Sequence, residues 1–169
     1  MSEPTEANAA KAKSGKYLTF KLGVEEYGLE ILKVQEIIKM MDITRVPRTP
    51  AFVRGVINLR GKVIPVVDLR LKFGMESRET TDKTCVIVVQ AAQASAASGS
   101  VTMGTIVDEV SEVLNISNAQ IEPAPEFGTS VNTDFILGMG KVAKKVVMLL
   151  DIDKVLSSGE LAAVTKTEG

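Results

Sequence analysis

Histidine and tryptophan are both absent from this 169-residue chain, and cysteine occurs once. Without histidine the commonest general base and the commonest metal ligand are missing, and the chain cannot itself carry a phosphohistidine. A single cysteine excludes an internal disulfide. Cys85 sits in TCVIVVQ and reads as a small buried hydrophobe rather than a reactive thiol. Aromatic residues make up only 4% of the chain, so the core must be built mostly from Val, Ile and Leu, which favour strands. Net charge is nearly absent too, at -1, which argues against a general binder of nucleic acid or acidic membranes. The N-terminus, MSEPTEANAAKAKSG, has no apolar centre and is not a secretory signal. No run of about 18 apolar residues exists to span a bilayer. A soluble, cytoplasmic protein is expected.

Motifs of catalysis are equally scarce. There is no GxSxG nucleophile elbow. GMGK at 138–141 resembles a phosphate loop, but Phe135 stands where the first glycine belongs and Val142 where Ser or Thr belongs. A hairpin turn is the expectation there. DIDK at 151–154 lacks the glycine of a calcium loop and reads as a helix start capped by Asp151. A zinc site would rest on one cysteine and carboxylates, so neither metal nor cofactor is expected.

What the sequence does contain is about ten short apolar segments with turn signals every eight to twelve residues, the pattern of sandwiches and small barrels. In YLTFKL, Leu18, Phe20 and Leu22 alternate with Tyr17, Thr19 and Lys21, predicting a half-buried strand. ILKVQEIIKM predicts a short helical turn leading into a strand. Pro47 and Pro50 exclude a long regular element, and Thr49 is placed to cap a brief turn. VRGVINLRGKVIPVVDLR predicts two strands around Arg60-Gly61, with Gly61 permitting positive φ and Pro65 suggesting an edge or a bulge. Asp68 is placed to cap LRLKF, which Gly74 ends. Residues 1–15 and 157–169 read as tails, and AAQASAASGS as a mobile small-residue loop. Two five-stranded barrels of about 65 residues would each be marginal alone. They are expected to pack together and leave a groove between them.

Charge is unevenly placed. Residues 45–72 hold Arg45, Arg48, Arg54, Arg60, Lys62, Arg70 and Lys72 against Asp68 alone, a net +6 that leaves -7 elsewhere. Nucleic acid would call for aromatic stacking residues among these cations, and only Phe52 and Phe73 lie there, both of core character. A protein partner fits better: arginines beside apolar side chains on a rigid scaffold are interface material.

FKLGVEEYGLEILKVQEII, TRVPRTPAFVRGVINLRGKVIPVVDLRLKFG, GTIVDEVSEVLNI, and FILGMG with VVMLLDIDKVL together resemble the CheW family of bacterial chemotaxis coupling proteins. GVINLRGKVIPVVDLR is the most specific element, and the match runs from about Tyr17 to Leu156. The resemblance implies an all-β fold of two interlocked five-stranded β-barrel subdomains, with short helical turns and a short C-terminal helix. It implies a domain over 16–156, the first barrel at roughly 22–83 and the second at roughly 16–21 plus 84–150. It also implies a non-catalytic scaffold joining the cytoplasmic tips of transmembrane chemoreceptors to the histidine kinase CheA. By the family pattern, receptor contacts fall on Val34, Glu36, Gly55, Arg60, Val110 and Val113. Kinase contacts fall on Glu126 and Phe127, and around Ile43 and Val46. No cofactor, nucleic acid or direct membrane insertion is implied.

Alternatives stay open from the residues alone. Arg60 could serve only to brace Glu36 across strands, and Val34, Val110 and Val113 could be plain core. A CheW-like adaptor of a related pathway such as twitching motility, or a small carboxylate-based enzyme, would carry many of the same residues.

Overall fold

A computed structural model describes residues 14–77, 79–92, 99–123 and 135–155. Of the N-terminal tail expected over 1–15, only Ser14 and Gly15 are described, and Gly15 already opens the first strand. The tail expected at 157–169, the centre of the Ala/Ser loop, and the contact expected at Glu126 and Phe127 lie outside the described residues.

Among the described residues eleven strands form two sheets. β1 (Gly15–Leu22), β2 (Glu25–Glu30), β8 (Glu109–Ile116), β9 (Ile121–Glu122), β10 (Ile136–Val142) and β11 (Lys145–Leu150) make one, in the order β8-β1-β2-β11-β10-β9. β3 (Val34–Lys39), β4 (Val53–Leu59), β5 (Lys62–Asp68), β6 (Cys85–Ala92) and β7 (Ser100–Val107) make the other, in the order β3-β6-β7-β5-β4. Pairing is antiparallel except between β2 and β11 and between β5 and β7. A 3-10 turn (Ile31–Lys33) leads into β3, and two single-turn helices follow, α1 (Leu69–Lys72) and α2 (Ile152–Val155). The all-β class, the short helical turns and the late helix are as expected.

Two features differ. Neither sheet is closed by a continuous ladder, so each is a curled sheet rather than a strict barrel. The five-stranded sheet is also one contiguous stretch, inserted between β2 and β8 of the six-stranded sheet. The sheet limits therefore differ from the expected barrel limits of 22–83 and 16–21 plus 84–150. Alternation along a strand tells which side chains are buried but not which strand lies beside it.

The curling shows in the cores. Leu18, Phe20, Leu29, Val67, Ile87, Met103 and Leu150 form a cluster shared by the two sheets. The opposite face of the five-stranded sheet encloses Ile57, Ile64, Val66, Val86, Val88 and Ile106. The opposite face of the six-stranded sheet encloses Tyr17, Ile116, Leu137, Val147 and Leu149. β1 is accordingly buried on both faces along Tyr17–Phe20, not half-buried as its alternation predicts. The scarce aromatics are concentrated at the junction. Phe20, Tyr27, Phe73 and Phe135 stack in series, with centroids 5.8, 5.8 and 5.2 Å apart.

Several local expectations are met. The Asp68 carboxylate caps α1 by accepting from Arg70 N–H at 2.9 Å, and Asp151 caps α2 through Asp153 N–H at 3.1 Å. Others are corrected. Pro65 lies in an interior strand rather than at an edge, while the bulge offered as the alternative falls beside it, at the register shift between Val53 and Gly55 on β4. Val56, its partner on β4, sends both its backbone bonds to Thr44, and the ladder to β7 begins only at Val66, so Pro65's missing N–H costs the sheet nothing. GMGK lies within β10, and the turn falls later, at Ala143-Lys144. Thr49 does not cap; its hydroxyl donates to Val46 O at 2.9 Å. Cys85 is half-buried, not buried, and its thiol donates to Lys83 O at 3.3 Å.

Candidate functional site: a groove between two edge strands

β3 and β8 are edge strands of different sheets, and each carries a one-residue bulge. On β3, Val34 pairs with Val89 but Glu36 pairs with Val88, which leaves Gln35 as the extra residue. Because partners across a ladder share a face, the bulge reverses the side-chain alternation. Val34 faces the shared core with Val89, while Glu36 and Ile38 turn into the concave side of the five-stranded sheet. On β8, Val113 pairs with Leu18 and Val110 with Phe20, with Ser111 extra. The break in that ladder is patched by Thr19, whose hydroxyl donates to Glu112 O at 2.9 Å and accepts from Glu112 N–H at 3.2 Å. Both valines therefore lie on the shared-core face.

β8 and the 3-10 turn before β3 both adjoin the Tyr17–Leu18 end of β1, at one margin of that core. The 3-10 turn before β3 leaves β2 opposite Tyr17 and Leu18 and contacts β1. The other neighbours of Tyr17 and Leu18 are Leu114 and Val113. Val34 and Val110 are half-buried against the shared core, whereas Val113 is 49% exposed. The margin thus presents apolar surface that the fold itself does not cover. Sequence reasoning missed Ile37, which is 43% exposed and pairs with Ile87, so it shares the face of Val34. Simple alternation places Ile37 opposite Val34, and no residue of VQEI announces the bulge.

Arg60 sits at the tip of the β4–β5 hairpin. Arg60 and Gly61 have φ of 51° and 87°, and Asn58 Oδ1 accepts from Gly61 N–H at 2.8 Å. The right-handed twist of the strands favours a two-residue turn with both residues in this region. Gly61 was expected to supply that freedom, and Arg60 shares the demand. The guanidinium makes a forked pair with Glu36: Nη1 donates to Oε1 at 3.1 Å and Nη2 donates to Oε2. Hydrogen bonding to Arg60, aided by its charge, holds the Glu36 carboxyl below its ordinary range, and the pairing pushes the Arg60 guanidinium up. β3 and β4 are the two outermost strands of the five-stranded sheet, so this pair draws its edges together.

Gly55 serves the same closure from beneath. It is buried with φ of 140°, and a Cβ there would stand 2.0 Å from Thr44 O. Thr44 and Val56 exchange two backbone bonds of 2.8 Å each, an isolated backbone bridge across the opening. Ile43 packs against the concave core, and Val46, half-buried, lines the hollow formed by the following loop. Val34, Val110 and Val113 thus all lie on the shared-core side of edge strands, and Glu36 joins Arg60. Ile43 and Val46 lie apart from them on the connection to β4.

The chain matches the CheW-like domain over residues 16–160 and belongs to that family. It is 43% identical to the chemotaxis protein CheW of Klebsiella aerogenes over 148 residues, covering 88% of this chain and 85% of that protein. It is 35% identical to the chemotaxis protein CheW of Rhizobium meliloti over 159 residues, covering 92% and 98% of the two. Among solved structures it resembles the scaffolding protein TtCheW from Thermoanaerobacter tengcongensis, with a TM-score of 0.73, 35% identity and coverage of 87% and 95%. These relatives support the role of a chemotaxis scaffold. Among the described residues no helix is long and apolar enough to cross a membrane.

Proposed function

We propose that the chain couples the cytoplasmic tips of transmembrane chemoreceptors to the histidine kinase CheA, without catalysis of its own. It would work in the cytoplasm, reaching the membrane only through these partners. The receptor's helical hairpin docks along the margin lined by Val34, Val110 and Val113. Glu36 and Arg60 supply the polar end of that surface, and Gly55 supports it from below. The kinase's regulatory domain meets the chain around Ile43 and Val46 and, at a second contact, at Glu126 and Phe127. The observation that supports this reading most is the pair of exposed apolar side chains on two bulged edge strands, Ile37 and Val113, in a protein that also carries a solvent-accessible charged pair at the mouth of the five-stranded sheet. Such a surface suits an apolar helix flanked by charge.

Titration of the purified chain against a receptor cytoplasmic fragment and against a CheA-type kinase tests the proposal. Val113→Glu should weaken the first and spare the second. Failure of the wild-type chain to bind either partner refutes it, as does nucleotide or phosphoprotein turnover that copurifies with the chain through every step.

A further inference from the structure

We infer that Arg45, Arg48 and Arg54 form a docking pocket for a carboxylate side chain presented by the kinase. This rests on the kinase contact proposed around Ile43 and Val46 and specifies its chemistry. The loop before β4 folds over the start of that strand and encloses a hollow of about 360 Å³, lined by these three arginines with Val46, Pro47 and Pro50 among its walls. Among the described residues no carboxylate lines it. Asp42 and Glu79 line an adjoining hollow with Arg45 and Arg54 but form no ion pair with them, and the one acid paired to these arginines among the described residues is Asp68, whose two oxygens are already engaged. One accepts from Arg54 Nη1 at 3.0 Å and the other caps α1 through Arg70 N–H at 2.9 Å. Asp68 thus answers one of the three cations. Arg45 and Arg48 make no ion pair among the described residues.

The pocket is held in shape before any partner arrives. Pro47 and Pro50 restrict the loop, the Thr49 hydroxyl ties it to Val46 O at 2.9 Å, and the Thr44–Val56 bridge fixes its origin. Arg48 has φ of 65°, an unfavourable backbone region for a long side chain. A rigid concavity that holds two unneutralised guanidiniums near a third is built for an anion. Arginine matches a carboxylate through two parallel N–H bonds. A nucleic acid would need stacking aromatics beside the cations, and among the described residues no aromatic lines the hollow.

Two variants test this on the full chain, Arg48→Gly and Arg45→Gln. Glycine relieves the positive φ, so Arg48→Gly should melt no lower than wild type while binding the kinase more weakly. The expected loss is about five- to tenfold at low salt and shrinks as salt rises, since a rim charge acts through screened attraction. Receptor-fragment affinity should not move. Folded variants that bind the kinase with wild-type affinity and salt dependence would overturn the inference while leaving the kinase reading standing. A wild-type chain that fails to bind the kinase removes both. Displacement of the kinase by inorganic phosphate, but not by chloride at matched ionic strength, would reassign the pocket to phosphate.

Discussion

Two charged junctions cross this molecule, and they differ in how far water reaches them. At the first, Asp108 Oδ2 accepts from Gly23 N–H at 2.7 Å and from Arg70 Nη1 at 2.5 Å. It ties the β1–β2 turn and the β7–β8 crossover to α1, and both charged side chains are at most 16% exposed. At the second, Arg60 and Glu36 pair across the mouth of the five-stranded sheet with side chains 68% and 31% exposed. The first joins the two sheets and leaves little of either charged side chain exposed. The second can exchange its internal bond for one to a partner with little desolvation to repay. Burial, rather than the identity of the charges, separates the junction that maintains the fold from the one available for recognition.

The largest effect should come from breaking the buried junction. Asp108→Ala leaves a desolvated guanidinium and a turn N–H without this acceptor, and is expected to cost about 3 kcal/mol. In a protein of this size that lowers the thermal midpoint by about 10 °C. Calorimetry of the variant checks it, and a midpoint within a degree or two of wild type would show that water satisfies Arg70 in place.

A third link lies between the two in exposure and should lie between them in effect. Asp153 on α2 accepts from Lys33 Nζ at 2.9 Å and from Ala92 N–H at 2.7 Å, fastening the end of the six-stranded sheet to the start of β3. Its partners keep partial access to solvent, so Asp153→Ala should cost about 1 kcal/mol. Because Lys33 immediately precedes Val34, the same variant should loosen the groove margin. Faster amide exchange at Val34 and Gln35 than in remote strands is the expected signature. Uniform change across the chain would show that the link stabilises without positioning.

The contrast between the junctions was only partly legible in the sequence. Strand number, both helix caps and the Arg60-Gly61 turn follow from local chemistry, because a cap or a two-residue turn is specified by residues a few positions apart. The proposed receptor positions rest on the family pattern, and the pairing of Glu36 with Arg60 was anticipated as one of two uses for that arginine. The orientation of Ile37 was not legible, since a one-residue bulge reverses a strand's facing without a residue-type signature. The role of Asp108 was also hidden: its partners at Gly23 and Arg70 are distant in sequence, and only the packing of the two sheets brings them together. Burial of both faces of β1 has the same origin, as alternation reports one covered face and curling supplies the other.

The exposed junction should break with little structural effect. Arg60→Gly removes the pair with Glu36 but also relieves a non-glycine residue at φ of 51°, so the two contributions oppose each other. Stability should stay within about 0.5 kcal/mol of wild type. Receptor-fragment affinity should fall roughly tenfold, the change expected when a charged contact is lost. If stability falls sharply while affinity holds, Arg60 is only a brace between the sheet's edges. A double-mutant cycle with Glu36→Gln then separates pairing from independent contacts, because additive effects would mean that the two residues reach the receptor separately.

The smallest effect is a shift in titration. Arg60 holds the Glu36 carboxyl below its ordinary range, so the folded chain binds this proton less readily than the unfolded chain. The sign follows from linkage: the pair's contribution is fully present above the unfolded carboxyl range and is lost as pH falls through the lowered folded value. Since the pair is open to water, the contribution to global stability should be too small to move a melting curve, and the local titration is the better probe. Carboxyl-detected NMR should place the Glu36 midpoint below the usual glutamate range in wild type and within it in Arg60→Gly. A saturating receptor fragment sharpens the comparison further. If the receptor takes over Arg60, the Glu36 midpoint should rise on binding. If the pair stays intact as a bracing unit, the midpoint should stay low, and recognition would fall to the valine-lined margin alone.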